Sequence, residues 1–358
     1  MKSGKTLTEL AQEIERRAKA KEDLVTTTRN VVMTDDLKLV VGGDKAFDVN
    51  SIAHDQIGTH VEIPSKYYDK MLAKAPALLA NNVNTWFQKY PAKRMVRGLF
   101  GTARAFLSDA YRPLENEDLA EAVLPVLMDM DLAIMSSEIT ERRLYIKAVD
   151  RRVERELAKT GARFGDGGHT IVRVASPAIT ISNSEVGHGS MAIMAGVYDG
   201  FCSNLATFSE RSVRKTHVGK RHDLVTDEMY RMLSDDTRRK TDEALWAQIR
   251  DVVRAAFDRA RFDALVDKIE GTQGDKIEDA VETVKLASAR FTLNEAEGKS
   301  VLKHLIEGGD LNRFGLFNAV TRAAQDIESY DRATELERVG AQVIELERSE
   351  WRELALAA

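Results

Sequence analysis

A single cysteine, Cys202, leaves the chain no intramolecular disulfide, so its stability must come from a buried core, and such cysteine usage fits a reducing, cytoplasmic compartment. No apolar run reaches the ~18 residues of a membrane span, and the opening Met1-Lys2-Ser3-Gly4-Lys5 leads into a charged amphipathic segment instead of a signal-peptide core. Several catalytic signatures are missing as well. There is no His-Glu-x-x-His, no cysteine pair for zinc and no Gly-x-Ser-x-Gly elbow. Glu297-Gly298-Lys299-Ser300 imitates the end of a phosphate-binding P-loop, but the position that needs the first glycine holds Leu293 and no strand precedes it. No cofactor is expected.

What is present is enough apolar sequence, 43% of 358 residues, for more than one core. Net charge is −5, unevenly spread: residues 1–222 carry 32 Lys and Arg against 28 Asp and Glu, and residues 223–358 carry 20 against 29. The expected organisation is therefore a mixed α/β domain over 1–222 with a basic sheet face, and an acidic helical domain over 223–358. The fold class is α+β, an antiparallel-rich sheet core with packed helices followed by a mostly helical C-terminal part. Thr6 to Lys21 has helical spacing, and Gly42-Gly43-Asp44 reads as a turn between two short strands. Ser51 and Pro64-Ser65 open short helices, and Pro125 should kink or split a helix over Glu117–Met130. From Val225 on, helices dominate, with one long stretch from Asp236 to Ile269 and Thr292-Leu293-Asn294-Glu295 in capping-box form. The amphipathic tail Thr334–Leu354 has no evident mate and suggests a homo-oligomer.

The densest polar stretch is Ile181-Ser182-Asn183-Ser184-Glu185-Val186-Gly187-His188-Gly189-Ser190, set between two apolar strand-like runs. Asn183, Ser184, Glu185 and His188 there suit either a site at strand ends or a tight hairpin whose buried Asn and Glu satisfy backbone groups. His169, Glu185, His188, His217 and His222, joined by Asp109 and Asp166, supply the residue types of a hydrolytic metal site, although their spacing matches no ligand pattern, and no metal ligand is assigned. A metal-dependent hydrolase or nuclease is thus one alternative. A scaffold or host-interaction protein is another.

Alternation along Arg143–Ala148 puts Arg143, Tyr145 and Lys147 on one strand face, and Arg104 and Phe106 share a face on another strand. A sheet with cations and aromatics on its open side is suited to track a phosphate backbone and stack bases. Arg94 and Arg97 precede it, Arg151 follows, and Arg211, Arg214, Lys215, Lys220 and Arg221 form a run free of acidic residues. The expected partner is single-stranded DNA, with no catalytic residue assigned.

Phe106-Leu107-Ser108-Asp109-Ala110-Tyr111-Arg112-Pro113-Leu114-Glu115-Asn116, Ile181-Ser182-Asn183-Ser184-Glu185-Val186-Gly187, Tyr198–Asn204 and Asn318-Ala319-Val320-Thr321 together resemble the phage- and plasmid-borne family catalogued as domain of unknown function nine-three-two. The resemblance covers most of the chain, and Asn-Ser-Glu-Val-Gly is its most specific element. Asp199 stands where that family usually has arginine, and Leu205 where a glycine follows the asparagine. The resemblance implies a mobile-element setting rather than an activity. Within that setting, a basic sheet with a helical back half is similar in outline to phage single-strand annealing proteins, which need neither ATP nor metal and work as rings or filaments. The expected function is non-enzymatic DNA binding in recombination or replication.

Overall fold

The computed structural model describes residues 1–111, 114–157, 173–200, 204–208, 213–215 (backbone only) and 234–355. Helix α1 (Leu7–Ala20) starts at a capping box in which Thr6 and Glu9 bond each other's backbone N–H, and it buries Leu10 and Ile14. The first sheet has strand order β1–β5–β6–β4–β3–β2, built from β1 (Lys21–Thr27), β2 (Val31–Met33), β3 (Leu39–Val41), β4 (Lys45–Val49), β5 (Lys93–Leu99) and β6 (Thr102–Ser108). Its pairs are antiparallel except β4 with β6. The expected turn after β3 exists because Gly42 and Gly43 take φ of +69° and +88°, which a side chain would oppose.

Helices α2 (Ser51–His60), α3 (Ser65–Lys74) and α4 (Pro76–Lys89) cover one face of this sheet. They share a core with it that includes Met33, Leu39, Phe47, Ile57, Met71, Leu79, Phe87, Val96 and Phe106. Asn50, and not Ser51, caps α2 through its side chain.

Helix α5 (Asn116–Asp129) runs without a break through Pro125, contrary to the expected split. Pro125 faces solvent beside exposed Glu121, so the carbonyl it leaves unpaired points toward water and costs little. The second sheet follows, with β7 (Ala133–Ile139), β8 (Leu144–Val149), β9 (Arg155–Glu156), β10 (Val174–Asn183), β11 (Met191–Asp199), β12 (Asn204–Thr207) and β13 (Val213–Lys215). Its order is β12–β11–β10–β8–β7, with β9 on β10 and β13 on β11, all antiparallel.

Both faces of the second sheet are covered, so β8, β10 and β11 are buried almost throughout and read as apolar runs rather than alternating ones. On one face Ile146, Ile179, Ile181 and Ile193 pack with α1, α5 and helix α6 (Asp235–Ala256). The remaining helices are α7 (Arg259–Glu270), α8 (Ala280–Arg290), α9 (Glu295–Gly308), α10 (Arg313–Asp326), α11 (Tyr330–Glu345) and α12 (Arg348–Ala355). The stretch expected as one long helix is divided at Asp258, whose side chain caps α7. The capping box of α9 lies two residues later than expected, on Asn294 and Glu297.

The fold is therefore α+β, an antiparallel-rich sheet core packed with helices and followed by a mostly helical C-terminal region. Around residue 222, where a domain boundary is expected, the hydrophobic cores do not separate: Ala175, Val197, Ala206 and Phe208 lie in one cluster with Phe262, Phe314, Leu336 and Val343. Leu336, Val339, Val343, Ile344 and Leu346, the stripe expected to meet a neighbouring subunit, are buried in that same cluster, as are Trp351 and Leu354 further along the tail. Its mate is α10 and the sheet of its own chain, and pattern alone could not name that partner.

Candidate functional site

The polar motif after β10 is a clamp between the two sheets. Glu185 is 8% exposed, and its Oε2 accepts from Arg104 Nη1 at 2.7 Å while its Oε1 accepts the Asn116 N–H at 2.8 Å. Its backbone carbonyl accepts from Arg97 Nη1 at 2.9 Å, and Arg97 also donates to Asp23 and to Glu115. Asn183 donates to the Leu114 carbonyl and to Asn116 Oδ1, and Tyr111 donates to the Ser184 carbonyl. Gln56 joins the same seam, accepting the Phe106 N–H and donating to the Val186 carbonyl. Burial pushes the Glu185 carboxyl up, but Arg104 and the Asn116 N–H outweigh it and bring it down to about 2. Its neighbour Glu115 is raised, chiefly by burial and against the pull of Arg97. Of the two roles open to Asn183, Ser184 and Glu185 in the sequence, these bonds are those of the structural one.

The basic sheet face is not open. Arg97 and Lys147 are fully buried, Arg104 is 7% exposed, and each is ion-paired. Lys147 Nζ donates to Glu337 Oε2 at 2.7 Å and to Thr334 Oγ1 at 3.0 Å, above the ring of Tyr330. Tyr145 donates to Asp331 Oδ1 at 2.8 Å and packs on Tyr330, and Phe106 stacks on Phe87 inside the first core. Helix α11 thus lies on the strand face predicted to meet DNA. Alternation correctly grouped Tyr145 with Lys147, but it cannot tell a face covered by an acidic helix from one covered by water. Arg94 is half-buried and donates to His60 Nδ1, while Arg151 is exposed.

Where α11 leaves the sheet, a groove of about 550 Å³ opens between the turn that follows β10, the β7–β8 turn and the helix. Arg142, Arg143, His188, Ser190, Asp331 and Arg338 are among the residues that line it. The Arg142 side chain is exposed and makes no hydrogen bond or ion pair among the described residues; the Arg143 guanidinium hydrogen-bonds only Ser182 Oγ and the Ser190 carbonyl among them, at 3.4 Å each. By contrast, Arg332 is occupied by Glu297 and Glu335, and Arg338 stands 3.9 Å from Glu335. His188 is held below the usual imidazole range by burial, then by Arg142 and Arg143. Backbone pairing sets Lys215, Arg214 and Val213 of β13 against Met191, Ala192 and Ile193, and Ala192 lines the groove.

Of the expected DNA-contact residues, then, Arg143 comes to the groove, where it meets His188 of the central polar motif, with Arg214 and Lys215 on the strand beside it. Arg211, Lys220 and Arg221 lie outside the described residues, as do Asp166, His169, Cys202, His217 and His222. Among the described residues no three His, Cys, Asp or Glu side chains are placed to hold a metal ion. Arg142, Asp331 and Arg338 were not singled out in the sequence. The doublet Arg142-Arg143 was the available signal for the first; the other two sit on an acidic helix with no mark of their own. No family model, curated protein or solved structure matches the chain. Among the described residues no helix is long and apolar enough to cross a membrane.

Proposed function

We propose that the chain binds single-stranded nucleic acid without catalysing its cleavage, along the groove between the β7–β8 turn and α11. The observation that carries this reading is the pair Arg142 and Arg143, two cations in an open cleft with no carboxylate partner among the described residues, in a chain whose other central cations are neutralised. Guanidinium groups left with free donors are suited to phosphate oxygens. The register of β13 supports the same reading, since it pairs Arg214 with Ala192, a residue that lines the groove. A role in recombination or replication of a mobile element, and assembly into a homo-oligomer, belong to the proposal through the family resemblance.

The test is anisotropy of a labelled mixed-sequence oligonucleotide across a salt series, with and without chelator. Binding should weaken with salt, with a log–log slope of about 0.7 per phosphate contacted. The double change Arg142→Ala, Arg143→Ala should lower that slope by about one to one and a half. Absence of binding at low salt, or binding that this double change leaves intact, would overturn the proposal; cleavage abolished by chelator would replace it with the metal-dependent nuclease.

A further inference from the structure

Five observations converge on one corner of the groove. Gly187 and Gly189 take φ of +76° and +101°, so the turn after Glu185 runs through backbone conformations that side chains oppose. Ser184 Oγ accepts the His188 N–H at 3.0 Å and fixes the turn. The Arg143 guanidinium lies against Gly189 so closely that a Cβ there would stand 1.8 Å from Nη2. A guanidinium has five N–H donors, and the contacts Arg143 makes are at the long limit of hydrogen bonding, which leaves most of its capacity for a ligand. Exposed Arg142 stands beside it and half-buried His188 faces both.

We propose that Arg142, Arg143 and His188 form a seat for one phosphate group, in which His188 takes up a proton as the anion binds. This deepens the strand-binding reading and rests on it for the source of the phosphate. The groups that face His188 are Arg142 and Arg143 from the β7–β8 turn, Asp55 from α2 and Asp331 from α11; Glu335 and Arg338 of α11 line the same groove. In the free protein burial and then the two arginines outweigh Asp55 and Asp331 and lower the ring's affinity for a proton. An anion between the arginines cancels their repulsion, so the ring's affinity for a proton rises on binding. By linkage, affinity for the anion must then rise as pH falls through the imidazole range.

Two probes separate the seat from the strand. A phosphodiester strand and inorganic sulfate both keep their charge over this range, so any pH effect belongs to the protein. Oligonucleotide affinity of the wild-type chain should increase as pH falls from 7.5 to 5.5, by at most about tenfold for a rise of one pKa unit on binding. His188→Gln should abolish that increase. Sulfate should raise the His188 titration midpoint followed by NMR, and Gly189→Ala, which displaces Arg143, should remove the sulfate response at an unchanged circular dichroism spectrum. If the oligonucleotide binds through Arg142 and Arg143 but His188→Gln keeps the full pH dependence, the seat is wrong and strand binding stands. If no strand binds, a sulfate-induced shift of His188 retains the seat for a free anion, and its absence refutes both.

Discussion

Replacing Glu185 by glutamine would keep the shape of the clamp and remove its charge, leaving Arg104 buried beside a neutral amide. Removing one partner of a buried pair costs about 3–5 kcal/mol, and the lower end is expected here because the amide oxygen can still accept one bond. The acid limb offers an independent check. A carboxyl held at about 2 in the folded state, against an ordinary 4.5, contributes stability that is complete above the ordinary value and disappears as pH falls toward 2. Denaturant melts of wild type and Glu185→Gln should therefore converge between about pH 4.5 and pH 2; a constant gap would mean that the charge is not what stabilises the clamp. Glu115 works in the opposite direction, since burial raises its carboxyl and acid relieves that cost, so the wild-type limb should be shallower than Glu185 alone would give. Sequence could show that Asn183 and Glu185 lie between two apolar strands, and left open whether they serve the backbone or a site. It could not show Arg104 and Arg97 as their partners, because both read as outward cations on an alternating strand.

At the level of elements, α11 decides how the second sheet is used. The Lys147–Glu337 pair is fully buried at both ends. Lys147→Met and Glu337→Leu should each destabilise by about 3–5 kcal/mol, while the double change should recover much of the loss, because replacing a whole buried pair by apolar groups is often near neutral. Thermal melts of the three variants give the comparison, and additive losses would rule out coupling through the pair. Leu336→Ala, at the buried side of the same helix, should cost about 2–5 kcal/mol by leaving a cavity, with no change in sedimentation of the folded fraction. A shift toward smaller species at full stability would restore the intersubunit role expected of this stripe. Strands and helices were legible from periodicity and turn glycines: the β3–β4 turn, the strand through Arg143–Ala148, the strand of Arg104 and Phe106 and the helical C-terminal region fall where the pattern places them. Helix ends were less so, since whether Ser51 or Asn50 caps α2 depends on side-chain geometry that spacing does not encode.

For the whole molecule, part of the charge asymmetry along the sequence is used internally. Acidic residues from the C-terminal part, Asp331 and Glu337 among them, neutralise or bond the polar groups of β8, while Arg142 and Arg143 stand at the groove beside them. A binder built this way should show a small salt slope, set by Arg142 and Arg143 with their immediate neighbours. That arrangement also has a consequence for synthesis on the ribosome. Lys147 and Glu337 are 190 residues apart, which at roughly 5–20 residues per second is about 10–40 s of translation. Throughout that interval the first sheet, complete by Ser108, is free to fold, while β8 carries an ammonium that cannot enter a dry interior until the last helices emerge. A nascent chain stalled before Tyr330 would therefore hold one finished sheet and one that still needs water, the kind of half-built surface that chaperones bind.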